Sequence, residues 1–135
     1  RRRQPIWQGV AVAIVVMGIG SGIALSSAET WWTKGVSYHH PQLARVINAS
    51  DRPVVLSDAF AINPGNVVAL SYLVDPKTRF ILFEEVWKQL QIPTIPESYS
   101  DVFLLNLPDV FLEEFNATYQ STLEPVAPGL WRWRR

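Results

Sequence analysis

The chain has no cysteine in its 135 residues. Disulfides, thiolate nucleophiles and cysteine-bound zinc are excluded, and either side of a bacterial membrane remains open as its compartment. Histidine is almost as scarce, with only His39 and His40. Adjacent side chains on a helix do not converge on one ion, so a metal site would have to recruit distant carboxylates. No metal and no cofactor is the expectation, with the histidines marking the start of a helix. The stretch "SYHH" lacks a nucleophile elbow, and Ser57 does not stand in a GxSxG motif. There is no GxGxxG, and no lysine follows the glycine of "NPGN", so neither dinucleotide nor P-loop chemistry is supported. Internal repeats and low-complexity tracts are absent too. The chain opens on arginine instead of methionine, which suggests a processed product or a piece of a longer polypeptide.

Basic residues are thin in the middle of the chain. Arg1, Arg2, Arg3, Arg132, Arg134 and Arg135 supply six of the twelve, leaving a body of six basic and twelve acidic residues at −6. An acidic body argues against a nucleic-acid partner, which would need a basic face. The terminal arginines read instead as membrane-flanking or fragment-end features.

What is present is one long hydrophobic run. No charge occurs between Arg3 and Glu29, and from Ile6 to Leu25 only Gln8 and Ser21 are clearly polar. As a helix, those residues span roughly 30 Å, the thickness of a bilayer's hydrocarbon core. They show no polar stripe of the kind a soluble surface helix carries. Trp7 at one end and Trp31 and Trp32 at the other fit interfacial aromatic belts. Gly18 and Gly22 form a GxxxG pair that permits close approach of another helix. A cleaved signal peptide is the alternative, since arginines, an apolar core and "SSAE" match its three regions, with cleavage after Ala28; the core is longer than a signal peptide usually carries. Under either reading the arginines stay cytoplasmic and the rest of the chain faces outward.

The remainder reads as alternating elements. "HHPQLARVINAS" has Pro41 near a helix start, followed by Leu43, Val46 and Ile47 at helical spacing. "DRPVVLSD", "TRFILFEEV" and "DVFLLNL" are apolar strand-like runs. "NPGNVVALSYLVD" and "PDVFLEEFNATYQ" read as helices, with Pro108 at a first-turn position in the second. The tail predicts an extended segment, a Pro-Gly turn and a final strand. The expected fold class is α/β: one transmembrane helix, roughly residues 6–28, then a small three-layer-like domain with a mostly parallel sheet. The corresponding domains are 1–30 and 31–135.

The candidate ligand-binding residues are Asp58, Asn63, Gly65 and Asn66 in "LSDAFAINPGN". Asp58 falls at the carboxyl end of a strand, and the glycine-containing turn leads into a helix N-terminus, positions that bind ligands or anions in open α/β sheets. Capping and turn roles explain the same residue types. Glu84 with Glu85, and Glu113 with Glu114, are acid pairs by composition, and neighbouring carboxylates of this kind ordinarily form solvated faces; no catalytic residue is assigned. "NAS" at Asn48 and "NAT" at Asn116 are glycosylation sequons, relevant only in a eukaryotic secretory pathway.

The phrases "RPVVLSD", "NPGNVVALSYLVDPKTRFIL", "SDVFLLNLP" and "LEPV…LW", placed after an apolar span that follows arginines, cover nearly the whole chain. Together they resemble the C-terminal part of bacterial, especially cyanobacterial, membrane glycosyltransferases related to glycosyltransferase family 39. The resemblance implies a last membrane span and an outward-facing accessory domain of an enzyme using a polyprenyl-phosphate sugar donor. It implies the lipid bilayer and other transmembrane helices of the same full-length protein as partners. The essential acidic residues of that family lie in an early extracytoplasmic loop with no counterpart in this chain, so no catalytic role passes to its carboxylates. The competing expectation is a stand-alone anchored or secreted α/β binding module that uses the "SDAFAINPGN" edge for an anionic ligand.

Overall fold

The computed structural model describes residues 4–28, 37–59, 64–84, 86 and 90–134. Trp31, Trp32, Asn63 and Glu85 lie outside the described residues. The chain divides into two compact units, Arg1–Thr33 and Lys34–Arg135.

The first unit is helix α1 (Gln4–Ser26), with no buried residue. Its 23 residues rise to about 35 Å, and it is long and apolar enough to cross a membrane. Ile6, Val12, Ile14 and Val15, which point in four well-spread directions around the helix, are all more than half exposed, so apolar surface surrounds the whole cylinder. Such a helix is not stable alone in water, where apolar area costs about 25 cal/mol per Å². At its end the Ser26 and Ser27 hydroxyls donate to the Ile23 and Ala24 carbonyls at 2.8 and 3.0 Å, keeping their polarity within the helix.

The second unit is built on one five-stranded sheet. Its elements are α2 (His40–Asn48), β1 (Pro53–Asp58), α3 (Pro64–Ser71), β2 (Arg79–Phe83), β3 (Asp101–Leu105), α4 (Asp109–Tyr119), β4 (Glu124–Ala127) and β5 (Leu130–Arg134). In α2, Pro41 sits in the first turn, where its missing N–H leaves no bond unmade. Pro108 is the N-cap of α4, one position earlier than its expected place in the first turn. Helix α3 stops at Ser71, short of the longer helix the sequence suggests, and Tyr72 beyond it is exposed.

The strand order is β2-β1-β3-β5-β4. β1 pairs with β2 and β3 in parallel, while β5 pairs with β3 and β4 antiparallel. The sheet is therefore mixed, with half its pairings antiparallel, and not the mostly parallel sheet expected from the apolar runs. The tight Pro128-Gly129 link between β4 and β5 permits only an antiparallel hairpin. Gly129 takes φ +68 there, a left-handed conformation natural to glycine.

Every residue of β1 and β3 is buried, as expected for strands with neighbours on both sides and cover on both faces. Strand alternation divides them between two cores. Val54, Leu56, Val102 and Leu104 pack with Phe111 and Phe115 of α4, joined by Val86 and Ile95 from the β2–β3 connection. Val55, Phe103 and Leu105 face the other way, against Leu43, Ala44 and Ile47 of α2 and Leu70 of α3. Each large apolar side chain taken out of water here contributes about 1.5–3 kcal/mol.

The two cores also show how the chain is wound. The β1–α3–β2 crossover lies on the face holding Leu70, and the β2–β3 connection lies on the face holding Val86 and Ile95. Strand order thus reverses between β1 and β3. In open α/β sheets the carboxyl ends at such a reversal are where ligands bind.

Candidate functional site

Ser57 and Asp58 end β1 at this reversal, and both are buried. The Ser57 hydroxyl donates to the Leu105 carbonyl of β3 at 3.1 Å, tying together the two strands where the order switches. Asp58 Oδ2 accepts the Val86 backbone N–H at 3.1 Å, which secures the start of the β2–β3 connection. A buried carboxylate needs donors of this kind to offset its lost hydration.

Asn66 is buried in the first turn of α3, and its Oδ1 lies 2.5 Å from Nε2 of His40 at the start of α2. Because Oδ1 only accepts, the ring proton sits on Nε2. Nδ1 is buried with no hydrogen-bond partner among the described residues. Burial lowers the His40 pKa from its ordinary 6.5; the bond to Asn66 partly opposes that shift, and His39 adds to it. The ring is accordingly neutral at pH 7. Gly65, the second residue of α3, is exposed.

Of the four sequence-predicted site residues, Asp58 holds Val86, Asn66 holds His40, Gly65 is open to solvent and Asn63 lies outside the described residues. The histidine expected only to mark a helix start is a packing residue with a polar tie to α3. A sequence signal for this existed, since His40, Leu43, Ala44 and Ile47 are the buried face of α2 at helical spacing. Glu84, Glu113 and Glu114 are exposed, as a solvated face requires. Among the described residues no three of His, Asp and Glu gather where a metal ion would sit.

Beside the strand end, α3 and β2 border a half-open apolar pocket of about 300 Å³, lined by Ala59, Pro64, Val67, Val68, Phe80 and Leu82. Ser71 completes the lining, and its hydroxyl already donates to the Val68 carbonyl at 2.7 Å. Among the described residues the pocket thus offers shape and apolar surface without a free side-chain hydroxyl. Sequence reasoning missed it because its walls come from a helix and a strand joined through a turn.

The chain combines an apolar helix of bilayer length with a mixed α/β domain whose described strand-end polar groups are held in internal bonds. No protein-family model, curated protein or solved structure matches it.

Proposed function

We propose that this chain is a membrane-anchored accessory module: α1 spans the bilayer, and the α/β domain faces outward as a non-catalytic portion of a polyprenyl-phosphate-sugar-dependent membrane glycosyltransferase. The observation that carries the anchor is the fully exposed apolar surface of α1, with none of its residues buried. The positive flank Arg1–Arg3 supports a cytoplasmic N-terminus. The transferase assignment rests on the resemblance of the phrases "RPVVLSD", "NPGNVVALSYLVDPKTRFIL" and "SDVFLLNLP" to family 39 relatives. The internal engagement of Asp58 and Asn66 supports an accessory role over an anion-binding one. Open faces at Gly18 and Gly22, where an added Cβ would meet nothing within 4 Å, suit approach by other transmembrane helices of the full-length protein.

The absence of cysteine makes topology directly testable. A single cysteine replacing exposed Glu114 on α4 should react with a membrane-impermeant maleimide in intact cells, and the product should resist alkaline extraction at full mass. A soluble product starting at Glu29 would establish a cleaved signal instead. The purified chain in detergent should transfer no sugar from a polyprenyl-phosphate donor, and measurable transfer would overturn the accessory role.

A further inference from the structure

We propose that β2 is a self-association edge: a second copy of this chain adds its own β2 antiparallel to it, about a two-fold axis that passes between the two Ile81 residues. The proposal concerns the α/β domain alone and does not depend on where α1 lies. The strand order leaves β2 and β4 at the edges of the sheet among the described residues. An edge strand presents unpaired backbone donors and acceptors to any strand that fits. The sequence treats the two edges differently. β4 is four residues long, carries charged Glu124, has Pro125 with no N–H to offer and shifts register between Pro125 and Ala127, the features that blunt an edge. β2 has none of them. Its five residues pair with β1 without a shift, include no proline or lysine, and hold a single charge, Arg79, at the first position.

The backbone fixes which residues a second β2 meets. The Phe83 carbonyl accepts the Ala59 N–H at 2.9 Å, so the peptide groups of Arg79, Ile81 and Phe83 turn toward β1 and those of Phe80 and Leu82 turn outward. In an antiparallel copy, Phe80 exchanges both backbone bonds with Leu82 of the second copy, Leu82 does the same with its Phe80, and the two Ile81 residues face one another as a non-hydrogen-bonded pair. The outward peptide groups are then all partnered, and Leu82, 49 % exposed, covers Phe80 across the strands. Charge selects this occupant and this direction. Arg79 and Glu84 stand at opposite ends of the strand, both are exposed, and neither enters an ion pair among the described residues. The two-fold axis sets Arg79 opposite Phe83 of the second copy and beside its Glu84, at both ends of the pair. A parallel copy would align like charges instead.

Because the chain has no cysteine, disulfide trapping can read the register in the full chain, purified in detergent with micelles in large excess over protein. Across the proposed pair the two Ile81 Cα atoms lie about 4.5 Å apart and the two Leu82 Cα atoms about 7–8 Å apart, inside and outside the span of a disulfide. Under copper-phenanthroline oxidation, Ile81→Cys should therefore give at least about tenfold more disulfide-linked dimer than Leu82→Cys, although Leu82 is the more exposed of the two. Random collision predicts the reverse, and equal or greater linking through Leu82→Cys would overturn the proposal. Adding Arg79→Glu to Ile81→Cys should lower linking by about fivefold, and adding Glu84→Arg as well should restore it. Linking indifferent to both charges would overturn the antiparallel pairing. Hydrogen exchange on the unsubstituted chain gives a reading free of any folding defect. The Phe80 and Leu82 amides should exchange more slowly as protein concentration rises, and fast, unprotected exchange at every concentration would overturn the dimer.

Discussion

The His40–Asn66 pair provides the sharpest quantitative test of how the α/β domain is held together. His40 is 3 % exposed, and its Nε2–H meets Asn66 Oδ1 at 2.5 Å. His40→Ala removes the donor, leaves a buried amide oxygen without it and opens a void beside Leu43 and Ala44. The stranded acceptor costs about 1–3 kcal/mol, and the void adds on the order of 1 kcal/mol. In a domain of this size that lowers Tm by on the order of 10–20 °C. Acidification probes the same bond from another direction. Burial lowers the folded pKa below 6.5, so the folded protein binds fewer protons at this site than the unfolded chain. The stabilisation is complete above the unfolded value and is lost as pH falls from there toward the folded pKa, at no more than about 1.4 kcal/mol per pH unit. His40→Gln keeps an N–H donor for Asn66 and does not titrate; His39 is present in both proteins and cancels in the comparison. Near-UV circular dichroism of the full chain in detergent, melted between about pH 5.5 and 7.5, reads the aromatic packing of Phe115, Tyr119 and Trp133. Wild type should lose stability toward the acidic end relative to His40→Gln. Parallel pH profiles for the two proteins would refute the reasoning, as would a Tm for His40→Ala within about 2 °C of wild type.

Three further outcomes are expected. Asn48 accepts the Asp75 N–H at 2.8 Å and donates to the Leu73 carbonyl at 3.3 Å, so Asn48→Ala should destabilise the domain by about 1–2 kcal/mol, measured by the same melts; an unchanged Tm would show the turn is held by other groups. Gly129→Ala puts a Cβ at φ +68 against Asn106 Oδ1 and should cost about 1–3 kcal/mol, while a neutral result would mean the hairpin tip relaxes freely. Val12→Arg in the middle of α1 adds about 2.5–3.5 kcal/mol to membrane insertion and should shift protein into the alkaline-extractable fraction; full retention would argue against Val12 facing lipid.

Local physics carried much of the architecture. An apolar run without charge from Gln4 to Ala28 reads directly as a bilayer-length helix, because hydrocarbon tolerates no unpaired charge. The apolar runs at 53–56 and 102–105 announce strands, Pro41 a helix start and Pro128-Gly129 a tight turn. Asp58 was legible as a strand-end residue for the same reason. Each feature depends on sterics and desolvation within a few residues. Tertiary packing alone decided that β5 inserts between β3 and β4 and so makes the sheet mixed. It also directed the Asp58 carboxylate to a backbone N–H 28 residues away and brought His40 against Asn66 across 26 residues. Partners at such separations are selected by which faces of the sheet α2, α3 and the β2–β3 connection cover, a condition met only when the whole domain closes around its two cores.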